Sequence, residues 1–158
     1  MPNFGEVTSR LYRGGQPTRA GFKRLAEMGV KIVVDSSRSR RDEALLKGLG
    51  MRYVALPWYC PFPKDEVFAE FLKVMRENPD TKVFVHCRLG EDRTGMMVAS
   101  YRISVQGWSA DDAMKEMQEF GFSRAHHFMC PGLASYEREF PERMKKNAAL
   151  RGEGEGKK

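Results

Sequence analysis

Apolar and polar positions alternate along the chain in blocks that predict strands and helices in turn. Short apolar runs predict strands over 11–13, 31–35, 51–56 and 82–86. The run at 31–35 is continuous, which is typical of a strand covered on both faces. Between the second and third of these strands lies a polar, arginine-rich loop over 36–41.

Helical spacing of apolar residues fills the remaining segments. Thr18 and Ser109 suit helix N-caps, and glycines stand where helices are expected to stop. The predicted helices run from Thr18 to Gly29, over 42–49, over 65–78, over 94–105, from Ser109 to Gly121 and over 133–145. The pattern predicts an α/β fold with a short, mostly parallel central sheet flanked by helices and a helical C-terminal half.

Length and composition favour a single domain over residues 1–150, followed by a disordered tail at 151–158. A hydrophobic share of 41% excludes wholesale disorder. No apolar run approaches the roughly 20 residues of a membrane span. No signal peptide is visible, so a cytoplasmic location is expected, with a periplasmic or secreted one if a leader was trimmed.

The three cysteines are odd in number and irregularly spaced, so free thiols in a reducing compartment are expected. The net charge of +6 suits nucleic acid, an acidic membrane face or a small polyanion. The basic residues are spread rather than striped and no nucleic-acid-reading motif occurs, so no nucleic-acid partner is expected. The basic loop containing Arg38 is either solvated or part of a substrate-binding rim, since it leaves the C-terminal end of a strand.

Residues 83–95 carry the clearest chemistry. An apolar strand ends at Cys87, five residues follow, and Arg93 and Thr94 open a helix. Amides of such a loop cradle a tetrahedral oxyanion, and the helix N-terminus with Arg93 favours the Cys87 thiolate as a nucleophile on phosphorus. Thr94 is expected to help the sulfur leave. The expected phosphate-binding residues are Arg88, Leu89, Gly90, Glu91, Asp92, Arg93 and, more remotely, Arg38.

The string His86-Cys87-x5-Arg93-Thr94-Gly95 resembles the signature of the cysteine-dependent protein tyrosine phosphatase superfamily. The segments at 11–17, 21–30 and 105–109 resemble small bacterial dual-specificity-type phosphatases, and the likeness extends to the tyrosine-phosphatase-like phytases. It implies a phosphotyrosine protein phosphatase-like fold and a phosphocysteine intermediate. It also implies a supporting role for His86 beside the loop.

The general acid is open between two aspartates. The family places this acid on a loop upstream of the cysteine, where Asp65 is the only aspartate between residues 43 and 79. Asp65 is therefore the first candidate, although an aspartate that opens a helix is ordinarily an N-cap. Asp92 is the alternative, since some bacterial relatives read Lys-Asp-Arg-Thr-Gly here, but Glu91 replaces that lysine.

The sequence thus predicts a phosphomonoester hydrolase that needs no cofactor and no metal. Its first expected substrate is an inositol polyphosphate such as phytate, and a phosphotyrosine or other phosphoprotein is the alternative. A non-catalytic phosphate-binding module is a third possibility. Cys60 is expected to be structural or incidental, with a protective disulfide to Cys87 as the alternative, and His126-His127 to lie on a surface loop near the rim. The oligomeric state stays open.

Overall fold

The computed structural model describes residues 1–153, apart from the side chains of Arg124 and His127. Five strands and seven α-helices follow in the order β1 (Gly5–Thr8), β2 (Leu11–Gly14), α1 (Arg19–Glu27), β3 (Val30–Asp35), α2 (Asp42–Leu45), β4 (Arg52–Ala55), α3 (Asp65–Glu77), β5 (Lys82–His86), α4 (Asp92–Ser104), α5 (Ala110–Glu119), α6 (Arg124–Met129) and α7 (Leu133–Lys146). A 3₁₀ helix covers Ala148–Arg151, where the predicted tail begins; residues 154–158 of that tail lie outside the described chain.

The five strands form one sheet in the order β1-β2-β5-β3-β4. Only the β1–β2 pair is antiparallel, which confirms the predicted α/β class with a mostly parallel sheet. Both neighbours of β5 run parallel to it, and the register sets Gly14 and Asp35 beside His86. The loop after β5 therefore leaves the centre of the sheet at its C-terminal edge, where α/β proteins bind ligands.

Helices cover both faces of the sheet. Val83 and Val85 of β5 enter the larger core cluster with α3, α4, α5 and α7, whereas Phe84 between them enters a second cluster with α1. Successive strand side chains point to opposite faces, so a strand buried on both sides reads as a continuous apolar run. No described helix is both long and apolar enough for a membrane span.

Three local predictions were wrong. Strand β1 was missed because Gly5-Glu6-Val7-Thr8 is a short edge segment with a register shift and weak strand propensity. Helix α6 was missed because 124–129 shows no clear apolar face. Helix α2 ends at Leu45 rather than near residue 49, and turns follow in which Gly48 and Gly50 take φ of 81° and 69°. Both predicted N-caps are confirmed: Thr18 Oγ1 and Ser109 Oγ each accept a hydrogen bond from a backbone N–H at 3.1 Å.

Candidate active site

The predicted phosphate-binding loop connects the central strand to a buried helix. Cys87 directly follows β5 and is 3% exposed. The Gly90 amide donates to its Sγ at 3.3 Å, and α4 begins at Asp92. The sulfur thus lies beside the Gly90 amide and the N-terminus of a 13-residue helix, an arrangement that suits a bound oxyanion.

Gly90 is required by a close backbone approach. Its φ is 77°, and an added Cβ would lie 2.6 Å from Gly14 C and Gly15 N. The Gln16 amide also donates to Arg88 O at 2.9 Å. The turn after β2 therefore packs directly against the loop after Cys87, and a larger residue at position 90 would push the turn and the loop apart.

Arg13 is a buried cation that sequence reasoning missed. The side chain is 1% exposed, its Nη2 donates to Gly90 O at 3.1 Å, and its guanidinium stacks 3.8 Å from the Phe120 ring centroid. Burial lowers the pKa of Arg13 to about 10, against the opposing pull of Glu116 and Cys87. It therefore stays charged near neutral pH and fixes the Gly90 carbonyl by a buried hydrogen bond. A charged residue inside a predicted strand was the available signal.

His86 is fixed behind the loop by a buried polar cluster. Its Nε2 lies 2.5 Å from Asp42 Oδ2 and 4.0 Å from Asp35 Oδ1, and its Nδ1 lies 3.2 Å from Cys87 O. Gln16 and Tyr53 donate to Asp42 and Asp35 at 2.6 and 2.8 Å. His86 is fully buried, so the position matches the predicted support of the loop rather than contact with substrate.

The other loop residues divide between the pocket and the supporting turn. Arg93 lines the pocket, and its Nη1 donates to Ser36 O at 3.4 Å. The buried Thr94 hydroxyl is 3.5 Å from Gly14 O, so in this structure it faces the turn after β2; its assistance to the leaving sulfur stays a prediction. Arg88 and Arg38 are exposed on the rim, and Leu89 is 51% exposed.

The pocket that contains Cys87 has a volume of about 340 Å³. Four segments form it: the basic loop containing Arg38, the Pro57–Lys64 loop, the phosphate-binding loop, and α6 with the Cys130 that follows it. Its lining residues are Arg38, Tyr59, Cys60, Cys87, Arg88, Leu89, Glu91, Asp92, Arg93, His126, Met129 and Cys130. Cations, two acids and apolar side chains therefore meet around Cys87.

Asp92 lies in this pocket and is held by a histidine. His126 Nδ1 lies 2.5 Å from Asp92 Oδ1, and its Nε2 lies 3.4 Å from Glu91 Oε2. Both His126 and Asp92 are 15% exposed. The expected surface loop is in fact helix α6, and its histidine fixes the orientation of the one carboxylate that opens α4.

Asp65 makes its contacts outside this pocket, and its role as the general acid stays a prediction. Its carboxylate accepts hydrogen bonds from the Tyr136 hydroxyl, from Arg143 at 3.4 Å and from Asn147 at 3.1 Å. It is absent from the residues around Cys87, and the N-cap of α3 is Lys64. Asp65 therefore joins α3 to α7 and the turn after it.

Cys60 and Cys130 form a disulfide, and Cys87 is the free cysteine. This corrects the expectation of three free thiols and removes Cys60 as a partner of Cys87 in this structure. The bridge joins the Pro57–Lys64 loop to the end of α6, and Cys130 Sγ lies 3.3 Å from Asp92 Oδ2. Disulfides are typical of oxidising compartments, whereas the cytoplasmic location stays a prediction.

Three groups of described side chains bring potential metal ligands within 4.8 Å of one another: Asp35, Asp42 and His86; Cys60, Asp92 and Cys130; Glu91, Asp92 and His126. The first is buried and internally hydrogen-bonded, the second contains the disulfide, and the third contains the His126–Asp92 contact. Each group thus has a structural role already. The metal-free reaction stays a prediction.

Comparison with known proteins agrees with this geometry. The family model described as "DSP-PTPase phosphatase fused to NAD+ Kinase" matches residues 3–128. The dual specificity protein phosphatase TpbA of Pseudomonas aeruginosa is 36% identical over 124 residues, which cover 76% of this chain and 55% of TpbA. The inositol diphosphatase DSP5 of Arabidopsis thaliana is 28% identical over 127 residues, 75% of this chain and 61% of that protein. The chain thus spans little more than half the length of these curated relatives.

Solved structures share the fold over nearly the whole chain. The crystal structure of P. aeruginosa TpbA superposes with a TM-score of 0.77 at 28% identity and covers 91% of both chains. A TpbA variant in complex with pTyr gives a TM-score of 0.76 at 27% identity, over 92% of this chain and 91% of that one. These similarities confirm the phosphotyrosine protein phosphatase-like fold.

Proposed function

The chain belongs to the family described as a dual-specificity-type tyrosine phosphatase fused to NAD⁺ kinase, and we propose that it hydrolyses phosphomonoesters through a phosphocysteine intermediate. One observation carries the proposal. The buried Cys87 sulfur lies where the central strand meets the N-terminus of α4, with the Gly90 amide directed at it and Arg93 in the same pocket.

In the first step the Cys87 thiolate attacks phosphorus. The S–P bond forms as the bond from phosphorus to the ester oxygen breaks, while Arg93 and the loop amides hold the phosphoryl oxygens. The leaving oxygen takes a proton from a carboxyl group. Water then attacks the phosphocysteine and returns a proton to that carboxylate, and the S–P bond breaks to release inorganic phosphate and the thiolate.

We assign the proton transfer to Asp92. It lies in the Cys87 pocket with its carboxylate held by His126, whereas the carboxylate of Asp65 is bound to Tyr136, Arg143 and Asn147. A general acid must reach the leaving oxygen within hydrogen-bond distance, so the position of Asp92 in the Cys87 pocket supports this assignment.

For the substrate, the pocket favours an aromatic phosphoester, phosphotyrosine above all. Tyr59, Leu89 and Met129 provide apolar walls, and Glu91 and Asp92 repel additional phosphate groups. TpbA, a similar protein solved with pTyr, supports this assignment. An inositol polyphosphate, the first expectation from the sequence, is the second candidate; Arg38 and Arg88 on the rim and the similarity to DSP5, named an inositol diphosphatase, support it.

Phosphate release from p-nitrophenyl phosphate, a phosphotyrosine peptide and inositol hexakisphosphate tests both levels of the proposal. We expect the wild type to hydrolyse the first two, with a higher kcat/KM for the phosphotyrosine peptide than for inositol hexakisphosphate. Cys87→Ser is expected to lose at least about 10³-fold in kcat, because serine is a far weaker nucleophile here. Near wild-type activity of Cys87→Ser contradicts the mechanism, and preference for the inositol reverses the order of substrates.

A further inference from the structure

A second groove adjoins the catalytic pocket. It has a volume of about 540 Å³, and Trp58, Phe62, Lys64 and Val67 contribute to its walls. Arg38 and Tyr59 line both this groove and the Cys87 pocket, so the two are neighbouring parts of one surface. A group attached to a phosphoester bound at Cys87 can therefore extend into the groove.

The walls of the groove are aromatic and unusually exposed. Tyr59 is 54% exposed and Phe62 67% exposed, with ring centroids 5.8 Å apart, and Trp58 forms the buried floor. Exposed aromatic groups clustered beside a pocket are typical of binding surfaces. Three prolines of the Pro57–Lys64 loop and the Cys60–Cys130 disulfide restrain this segment, so it is already shaped for a ligand.

The polar groups of the groove are unpaired among the described residues. Neither Arg38 nor Lys64 has a carboxylate partner there, although Arg38 lies 5.7 Å from the Tyr59 ring centroid. The buried indole N–H of Trp58 also lacks an acceptor in that part of the chain. The aromatic walls therefore suit an apolar side chain of a ligand, and the two cations suit an acidic side chain next to it.

We propose that this groove is a specificity subsite for phosphopeptides. It takes an apolar side chain adjacent to the phosphotyrosine, and a carboxylate one residue further on meets Arg38 and Lys64. The proposal rests on the proposed phosphatase function and selects a peptide over an inositol ring, because a ring bearing phosphates has no apolar group for the aromatic walls.

The test compares kcat/KM for matched phosphotyrosine peptides that carry leucine or serine directly before or directly after the phosphotyrosine. Each peptide has glutamate or glutamine next to that residue, on the side away from the phosphotyrosine. The wild type is expected to prefer leucine over serine about tenfold at one of the two positions, as one apolar contact allows. Phe62→Ser should abolish that preference, and Lys64→Gln should reduce the preference for glutamate over glutamine. Phe128→Ser is the matched control, since Phe128 is 91% exposed and lines neither the groove nor the catalytic pocket.

The outcomes separate the two proposals. If the wild type hydrolyses none of the peptides nor p-nitrophenyl phosphate, the phosphatase function itself is wrong. If p-nitrophenyl phosphate is hydrolysed but the leucine preference is absent, or persists in Phe62→Ser, the subsite is wrong while the function stands. Equal loss of preference in Phe128→Ser also overturns the subsite.

Discussion

Asp65 and Asp92 hold the same local position in two helices of equal length. Each is the first residue of a 13-residue helix, α3 in one case and α4 in the other. Asp65 meets Tyr136, Arg143 and Asn147, whereas Asp92 meets His126 in the pocket of Cys87. The comparison shows that the same residue at the same helix position receives its role from the elements that pack against it.

The largest expected effect separates the two carboxylates directly. Asp92→Asn should lower kcat by about 10²-fold or more for phenyl phosphate, whose leaving group needs a proton, and much less for p-nitrophenyl phosphate. Asp65→Asn should stay within about threefold of wild type on both substrates and lose thermal stability instead, because it weakens the hydrogen bonds to α7. Steady-state kinetics with thermal denaturation of each variant measure this. The reverse pattern restores Asp65 as the general acid.

A third carboxylate, Glu137 on α7, extends the comparison to an acid with no hydrogen-bond partner for its Oε1 among the described residues. Burial raises the pKa of Glu137 from 4.5 to about 8; Asp111 raises it further and Arg138 opposes. Because the folded pKa is the higher one, the stability contribution is fully present below pH 4.5 and is lost as the pH rises towards 8.

Glu137→Gln should therefore remove most of this pH dependence. At pH 8 we expect the variant to be more stable than wild type by roughly 2 kcal/mol, about half of what the full shift would give at about 1.4 kcal/mol per pKa unit. Urea denaturation at pH 5 and pH 8 measures it. If the stability of wild type and variant changes equally between pH 5 and pH 8, Glu137 is ionised in the folded protein and the prediction is wrong.

The smallest effect concerns how Asp92 is held. His126→Asn keeps a donor near the place of Nδ1, which faces Asp92, whereas His126→Gln keeps one near Nε2, which faces Glu91. We expect about a tenfold loss of kcat on phenyl phosphate for the glutamine variant and about threefold or less for the asparagine variant, with little change on p-nitrophenyl phosphate. If His126 has a purely structural role, kcat should fall equally on both substrates.

Sequence reasoning located the loop after Cys87 because its signals are local. A continuous apolar strand, a cysteine and a helix-opening Arg93-Thr94 lie within thirteen residues, 83–95, and the structure keeps them in the predicted order. The amides of this loop were expected to face an oxyanion, and the Gly90 amide donates to the sulfur. Such features depend on backbone geometry over a few residues, which the chain specifies directly.

Contacts between segments that are distant in the sequence could not be predicted in this way. Arg13 reaches Gly90, His126 reaches Asp92, and Cys60 bridges to Cys130, each across at least 34 positions of the sequence. No periodicity or motif relates such positions, since their distance depends on how the helices pack on the sheet. The partners of Asp65, on α7 and directly after it, also lie 71 or more residues away, so the sequence did not reveal them.

The sequence by itself determined the α/β class, the central strand, the position of Cys87 and the phosphate-binding loop, because hydrophobic periodicity and local backbone chemistry govern each of them. Only the tertiary structure decided which carboxylate lines the Cys87 pocket, which cysteines pair, and which cation supports the loop. Those choices depend on burial and on contacts between segments brought together by packing, and a carboxylate acts on a reaction only when packing places it within reach of the reacting atoms.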